Sequence, residues 1–140
     1  MINRIKSVKY AVNGAIHLLK TEGSIQIQVS IALIMTVIGF FFNLSASEWM
    51  AQFLAMGLVI TAESLNTAIE KLADFVHPDY HLKIGIIKDI SAGAAVFAAF
   101  VAIIIGGIIY LPKILSDKHM RFNLLNKSLS FFFLLDLLVQ

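Results

Sequence analysis

Three runs without a charged side chain decide what this sequence can become. Twenty-five uncharged residues separate Glu22 from Glu48, 14 separate Glu48 from Glu63, and 23 separate Asp89 from Lys113. A bilayer core about 30 Å thick takes about 20 helical residues to cross, so the first and third runs each suffice alone. The second run is short, but Ser64 to Val76 holds neither Gly nor Pro. The helix therefore continues past Glu63 and ends before Pro78, its first half in lipid and its second half emerging through the headgroups into water. Composition agrees. With 59% hydrophobic and 14% charged residues in 140, the chain is more apolar than a soluble domain of this size can hide. A disordered chain, a disulfide scaffold, an ordinary cytosolic domain and a large multi-domain enzyme are excluded. The absence of cysteine removes thiolate nucleophiles and Cys-based metal sites. A net charge of +2, with basic residues spread along the chain, gives no nucleic-acid footprint.

The first twenty residues differ in kind. Ile5, Val8, Val12, Ile16 and Leu19 recur at helical spacing while Lys6, Lys9, Asn13 and Lys20 fall elsewhere. This predicts an amphipathic helix lying flat in the interface, with no cleavable signal peptide. The expected fold class is all-α: a surface helix at about 3–21 and three transmembrane helices at about 24–43, 48–76 and 88–111. Together these make one membrane domain, residues 1–114, followed by an interfacial or disordered tail, 115–140. Four basic residues precede the first span, none lies in the connection from Asn43 to Glu48, and three lie between Lys71 and Asp89. The N-terminus is therefore expected inside, the first connection outside and the second inside. Lys113, Lys118, Arg121 and Lys127 in the tail oppose this order, since three spans carry the tail outside. Trp49 reads as an interfacial anchor, and Gln26 and Gln28 as residues hydrating the end of the first span. Ala92, Ala95, Ala99, Ala102 and Gly106 form a small-residue stripe on the third span. Such stripes let helices approach closely, and three spans enclose little interior, so a homo-oligomer is expected.

The chemistry-bearing feature lies on the second span. At 100° per residue, Glu63, Asn66, Thr67, Glu70 and Asp74 share one face. Glu63 is 14 residues, about 21 Å of rise, beyond Trp49, which places it near the inner membrane surface. Acids stacked on one face repel each other, and beside lipid they are costly unless a cation or a donor stands between them. A solvated helix face is the bland alternative, more apt for Asp74 than for Glu63, which follows the apolar Leu58-Val59-Ile60-Thr61-Ala62. Oxygen donors without Cys or a paired-His motif suit a hard cation such as Mg²⁺, which usually arrives with phosphates. Lys88, where the third span opens, is either an inside-facing anchor or a phosphate contact. Glu22 is an interface acid or reaches the same acidic site. No P-loop or Rossmann signature occurs, and no histidine sits in a triad-like arrangement.

The segment Ala62-Glu63-Ser64-Leu65-Asn66-Thr67-Ala68-Ile69-Glu70-Lys71, then Asp74, Asp79-Tyr80-His81 and Ile87-Lys88-Asp89-Ile90-Ser91-Ala92-Gly93-Ala94, resembles the prokaryotic diacylglycerol kinase family, which includes integral-membrane undecaprenol kinases. The likeness runs from about Arg4 to Lys113. It implies a homotrimeric lipid kinase of the bacterial inner membrane, moving the γ-phosphate of ATP to a lipid alcohol. By resemblance Glu63 is the general base, Glu70 and Glu22 are the metal-binding acids for Mg²⁺, and Asn66, Asp74, Lys88 and Asp89 surround the nucleotide and reacting groups. The acceptor is expected to be diacylglycerol, with undecaprenol as the alternative. An oligomeric ion or proton conductor using Glu63 and Glu70 as a relay would also place acids in a span, but it leaves Lys88-Asp89 and Asp74 without a task. A purely structural scaffold would tolerate alanine along the acidic face.

Overall fold

The computed structural model describes the backbone of residues 2–79 and 81–139 and the side chains of residues 4–79 and 81–116. Four helices follow in order: α1 (Ile2–Thr21), α2 (Gly23–Phe41), α3 (Ala46–Val76) and α4 (Leu82–Val139). Three of them are long and apolar enough to cross a membrane, over Gly23–Phe41, Ala46–Val76 and Leu82–Ser116. The protein is thus an all-α, multi-pass membrane protein with an N-terminal helix. Its contacts divide it into two units, Met1–Ile105 and Gly106–Gln140.

In the first unit, one extended residue, Glu22 (φ −106°, ψ 109°), separates α1 from α2. Bending there leaves the last carbonyls of α1 without helical donors. Gln26 answers them, its Nε2 donating to Leu19 O at 3.1 Å and Lys20 O at 3.4 Å. This side chain therefore closes α1 rather than hydrating α2.

The turn between α2 and α3 is defined as tightly. Asn43 takes a left-handed conformation (φ 47°), which an Asn side chain tolerates better than most, and α2 stops at Phe41 instead of running to 43. Ser45 then caps α3 in a reciprocal box. The backbone N–H of Ser45 donates to Glu48 Oε2 at 2.7 Å, and that of Glu48 to Ser45 Oγ at 3.4 Å. The box starts α3 at Ala46, two residues ahead of the expected 48, and gives Glu48 a purely structural task. Beyond the turn, Trp49 lies over Gly39, stacked on Phe53 (5.4 Å) and tilted against Phe40 (5.0 Å). Trp49 thus also packs the α2–α3 hairpin. Deeper in, Gln52 is 4% exposed and its Nε2 donates to Met35 O at 3.0 Å, one polar clasp between two apolar helices.

The buried side of α3 reads Gln52, Ala55, Val59, Asn66 and Ala73, with Thr67 beside it. Steps of three, four and seven keep these residues on one stripe. Most apolar side chains of the spans face outward, among them Leu54 at 74% and Phe97 at 75% exposure, as a lipid-facing or copy-facing surface must.

α4 begins at Leu82, earlier than the expected 88. His81 Nδ1 accepts the backbone N–H of Lys83 at 3.2 Å, and His81 O that of Gly85 at 3.0 Å, which closes the first turn. Asp89 bounds the uncharged run, and Lys88 and Lys83 precede it, without ending the helix. In the second unit α4 passes through Pro112 and on to Val139, where the sequence predicted an end near 111 and an interfacial or disordered tail. Proline removes one backbone donor, freeing the carbonyl of Ile108, and a membrane helix absorbs such a loss without ending. The backbone of the tail is helical; whether its side chains are interfacial lies outside the described residues.

Candidate functional site

The acidic face of α3 is also its packing face. Asn66 (8% exposed) and Thr67 (5%) lie in the buried stripe, and Glu63 and Glu70 border it, both half-buried. A merely solvated helix face would not put them there. Asp74, a turn beyond Glu70, is exposed, with 63% of its side chain open.

The first turns of α4 complete the cluster. Lys88 Nζ lies 2.9 Å from Asp74 Oδ1, joining the end of α3 to the start of α4. Lys88 also lies within the field of Glu70. Ser91, one turn further along α4 and 7% exposed, donates through Oγ to Asn66 Oδ1 at 2.5 Å. Asn66 Nδ2 in turn donates to Glu70 Oε1 at 3.1 Å. A chain of contacts thus runs Ser91–Asn66–Glu70, beside the pair Lys88–Asp74. Among the described residues Glu63 has no side-chain hydrogen bond or ion pair, and neither has Asp89, which is exposed.

Glu22 reaches α3 from the other flank. Its Oε1 lies 3.0 Å from Lys71 Nζ and accepts from Thr21 Oγ1 at 2.8 Å. The ammonium of Lys71, then the Thr21 hydroxyl, hold the Glu22 carboxyl below its ordinary range. Glu22 is therefore brought to the residue next to Glu70, with its negative charge already matched by a lysine.

The structure thus brings Asn66, Glu70, Asp74 and Lys88 together, sets Glu63 two turns before Glu70 on the same face, and leaves Asp89 exposed on α4. Two members escaped the sequence reading. Ser91 follows Lys88 by three residues, a spacing that shares a helix face and was visible. Lys71 is 49 residues from Glu22, and nothing in the sequence links them.

For a divalent cation the donor chemistry fits. Glu70 and Glu22 offer hard carboxylate oxygens, and Mg²⁺ is normally held by one or two carboxylates with phosphates and water completing its shell. Among the described residues no three His, Cys, Asp or Glu converge on one point. What the chain offers such an ion is separate carboxylates, which would suit a foothold for a metal–phosphate complex.

Comparison with known proteins locates the chain. Residues 9–110 match the family model described as prokaryotic diacylglycerol kinase. An undecaprenol kinase of Bacillus subtilis is 37% identical over 114 residues, covering 81% of this chain and 93% of that protein. A diacylglycerol kinase of Synechocystis is 33% identical, covering 81% and 66%, and one of Haemophilus influenzae 31% identical, covering 76% and 91%.

Proposed function

The chain belongs to the prokaryotic diacylglycerol kinase family, ATP-dependent membrane lipid kinases, and on that premise we propose that it phosphorylates undecaprenol at the cytoplasmic face of the bacterial inner membrane. The observation that carries the kinase reading is the polar cluster of α3 and α4. Acids, an amide and a lysine are gathered at the end of the spans where a lipid hydroxyl and a nucleotide that cannot enter hydrocarbon have to meet. The acceptor reading is supported by the B. subtilis undecaprenol kinase, which has the greater identity and is matched over 93% of its length. Diacylglycerol, the acceptor expected from the family's name, becomes the alternative.

In this reading Glu63, half-buried and bonded to none of the described residues, accepts the proton of the lipid hydroxyl. The lipid oxygen forms its bond to the γ-phosphorus, the bond from that phosphorus to the β-bridging oxygen breaks, and ADP departs. Glu70 and Glu22 would hold Mg²⁺. When bound, the ion neutralises phosphate charge and aligns the transferred group. Lys88 stabilises the phosphates, with Asp74 fixing the place from which it acts. Asn66 orients Glu70, and Asp89 stands at the nucleotide side. The exposed apolar flanks and the half-buried small-residue stripe of α4 are covered by other copies in a homotrimer.

The test is direct. Purified protein in detergent with γ-labelled Mg-ATP is offered undecaprenol or a diacylglycerol at equal mole fraction. Label is expected in undecaprenyl phosphate at least about tenfold faster, a preference worth about 1.4 kcal/mol in the barrier. The reverse preference restores diacylglycerol as acceptor, and no label in any lipid alcohol removes the kinase reading.

A further inference from the structure

The amide of Asn66 has two ends, and its neighbours fix which way round it lies. Glu70 is a carboxylate and only accepts, so Asn66 has to present Nδ2 to it (3.1 Å). That turns Oδ1 toward α4, where Ser91 Oγ stands at 2.5 Å and donates. Ser91 Oγ also lies 2.9 Å from the carbonyl of Lys88, so its single proton is shared between Asn66 and its own helix. Asn66 and Ser91 are both more than nine-tenths buried, where a polar group that lost its partner would be costly. The hydroxyl therefore has a definite effect. Without it, Oδ1 faces no donor on α4, and the amide has less reason to hold Nδ2 on Glu70.

We infer that Ser91 is a positioning residue for the kinase reaction: through the Asn66 amide it fixes the Glu70 carboxylate in the orientation from which Glu70 takes up the metal–nucleotide complex. The inference rests on the reading of Glu70 as a metal-binding acid and adds a residue of α4 to that task. It also makes the metal foothold a property of two helices. Lys88 and Ser91 occupy one face of α4, so the segment that brings the lysine toward phosphate also sets the carboxylate for the cation.

The experiment compares Ser91→Ala, Ser91→Thr, Asn66→Ala and the double variant of Ser91→Ala with Asn66→Ala, all in the full-length protein. Ser91→Ala is expected to raise KM for Mg-ATP about 3- to 10-fold, the reach of one net hydrogen bond, with kcat within about twofold. Ser91→Thr keeps a hydroxyl and is expected to stay near wild type. Adding Ser91→Ala to Asn66→Ala should change nothing further, because the serine acts only through the amide. Binding of Mn²⁺ with ATP, followed by electron paramagnetic resonance, should weaken by the same factor without any turnover. Additive effects in the double variant overturn the inference, as does a loss confined to kcat with Mn²⁺–ATP binding intact. Should the wild type phosphorylate neither lipid while Ser91→Ala still weakens Mn²⁺–ATP binding, the kinase reading fails and the positioning of the metal–nucleotide site by Ser91 stands.

Discussion

Glu63 and Glu70 are the same residue type on the same helix face, two turns or about 10 Å apart, and their neighbours differ, which in the proposed reading gives them different work. Glu70 is held by the Asn66 amide, which in turn is held from α4. A carboxylate fixed in this way suits a ligand whose geometry has to be prepared in advance. Glu63 is half-buried and has no such tether among the described residues, which suits the proton-accepting role proposed for it. Substitution should separate the two roles. Glu63→Gln is expected to lower kcat by about 10²- to 10⁴-fold, the usual contribution of a general base, while Mn²⁺–ATP binding stays within about twofold of wild type. Glu70→Gln removes a charge from the metal foothold and is expected to weaken that binding by tenfold or more. Nucleotide binding beside phosphotransfer in the same detergent preparation reads both, and two variants with one shared phenotype would show that the carboxylates are not divided in this way. The face these acids share was legible in the sequence, because 100° per residue needs no tertiary information. Ser91 was missed because its role arises only when a second helix arrives.

Helix ends account for most of the differences between expectation and structure. Counting uncharged residues locates a span, but helices end where their terminal backbone groups find partners. Ser45 with Glu48 opens α3 early, His81 opens α4 early, and Asn43 closes α2. Each residue type was readable, although the uncharged-run criterion looked past all three. The α2–α3 hairpin also depends on a close approach. A Cβ placed on Gly39 would stand 2.6 Å from the Trp49 ring, which Phe53 and Phe40 hold in place. Gly39→Ala is therefore expected to lower stability by about 1–3 kcal/mol through overpacking, measurable as a fall in thermal unfolding temperature in detergent. At the other end of α2, Glu22 and Lys71 join the surface-helix junction to α3. The Glu22 carboxyl titrates below its unfolded value, chiefly because of Lys71. Its contribution is therefore complete above the ordinary carboxylate range and is lost as pH falls through the depressed folded value. The stability gap between wild type and Glu22→Gln should be present at pH 7 and close in acid, and a gap independent of pH would show that the ion pair does not hold this junction.

For the molecule as a whole, chemistry and topology have to agree, because ATP is found on one side of the membrane only. The polar cluster lies at the ends of α3 and α4 that meet around residues 77–81, the same end that receives Glu22 from the surface helix. Four basic residues before the first span and three between Lys71 and Asp89, against none in the connection at 42–45, predict that this end faces the cytoplasm. The tail opposes this with four basic residues, and the prediction rests on the usual dominance of the first spans in setting orientation. Because the natural chain has no cysteine, single introduced thiols give an unambiguous test. A membrane-impermeant maleimide applied to intact spheroplasts is expected to label Ser47→Cys and Ser116→Cys, and to reach Lys9→Cys and His81→Cys only after permeabilisation. Labelling of Lys9→Cys with protection of Ser47→Cys would invert the chain. Glu63, Glu70 and Lys88 would then face away from cytosolic nucleotide, and a kinase of this geometry could not be supplied with its phosphate donor.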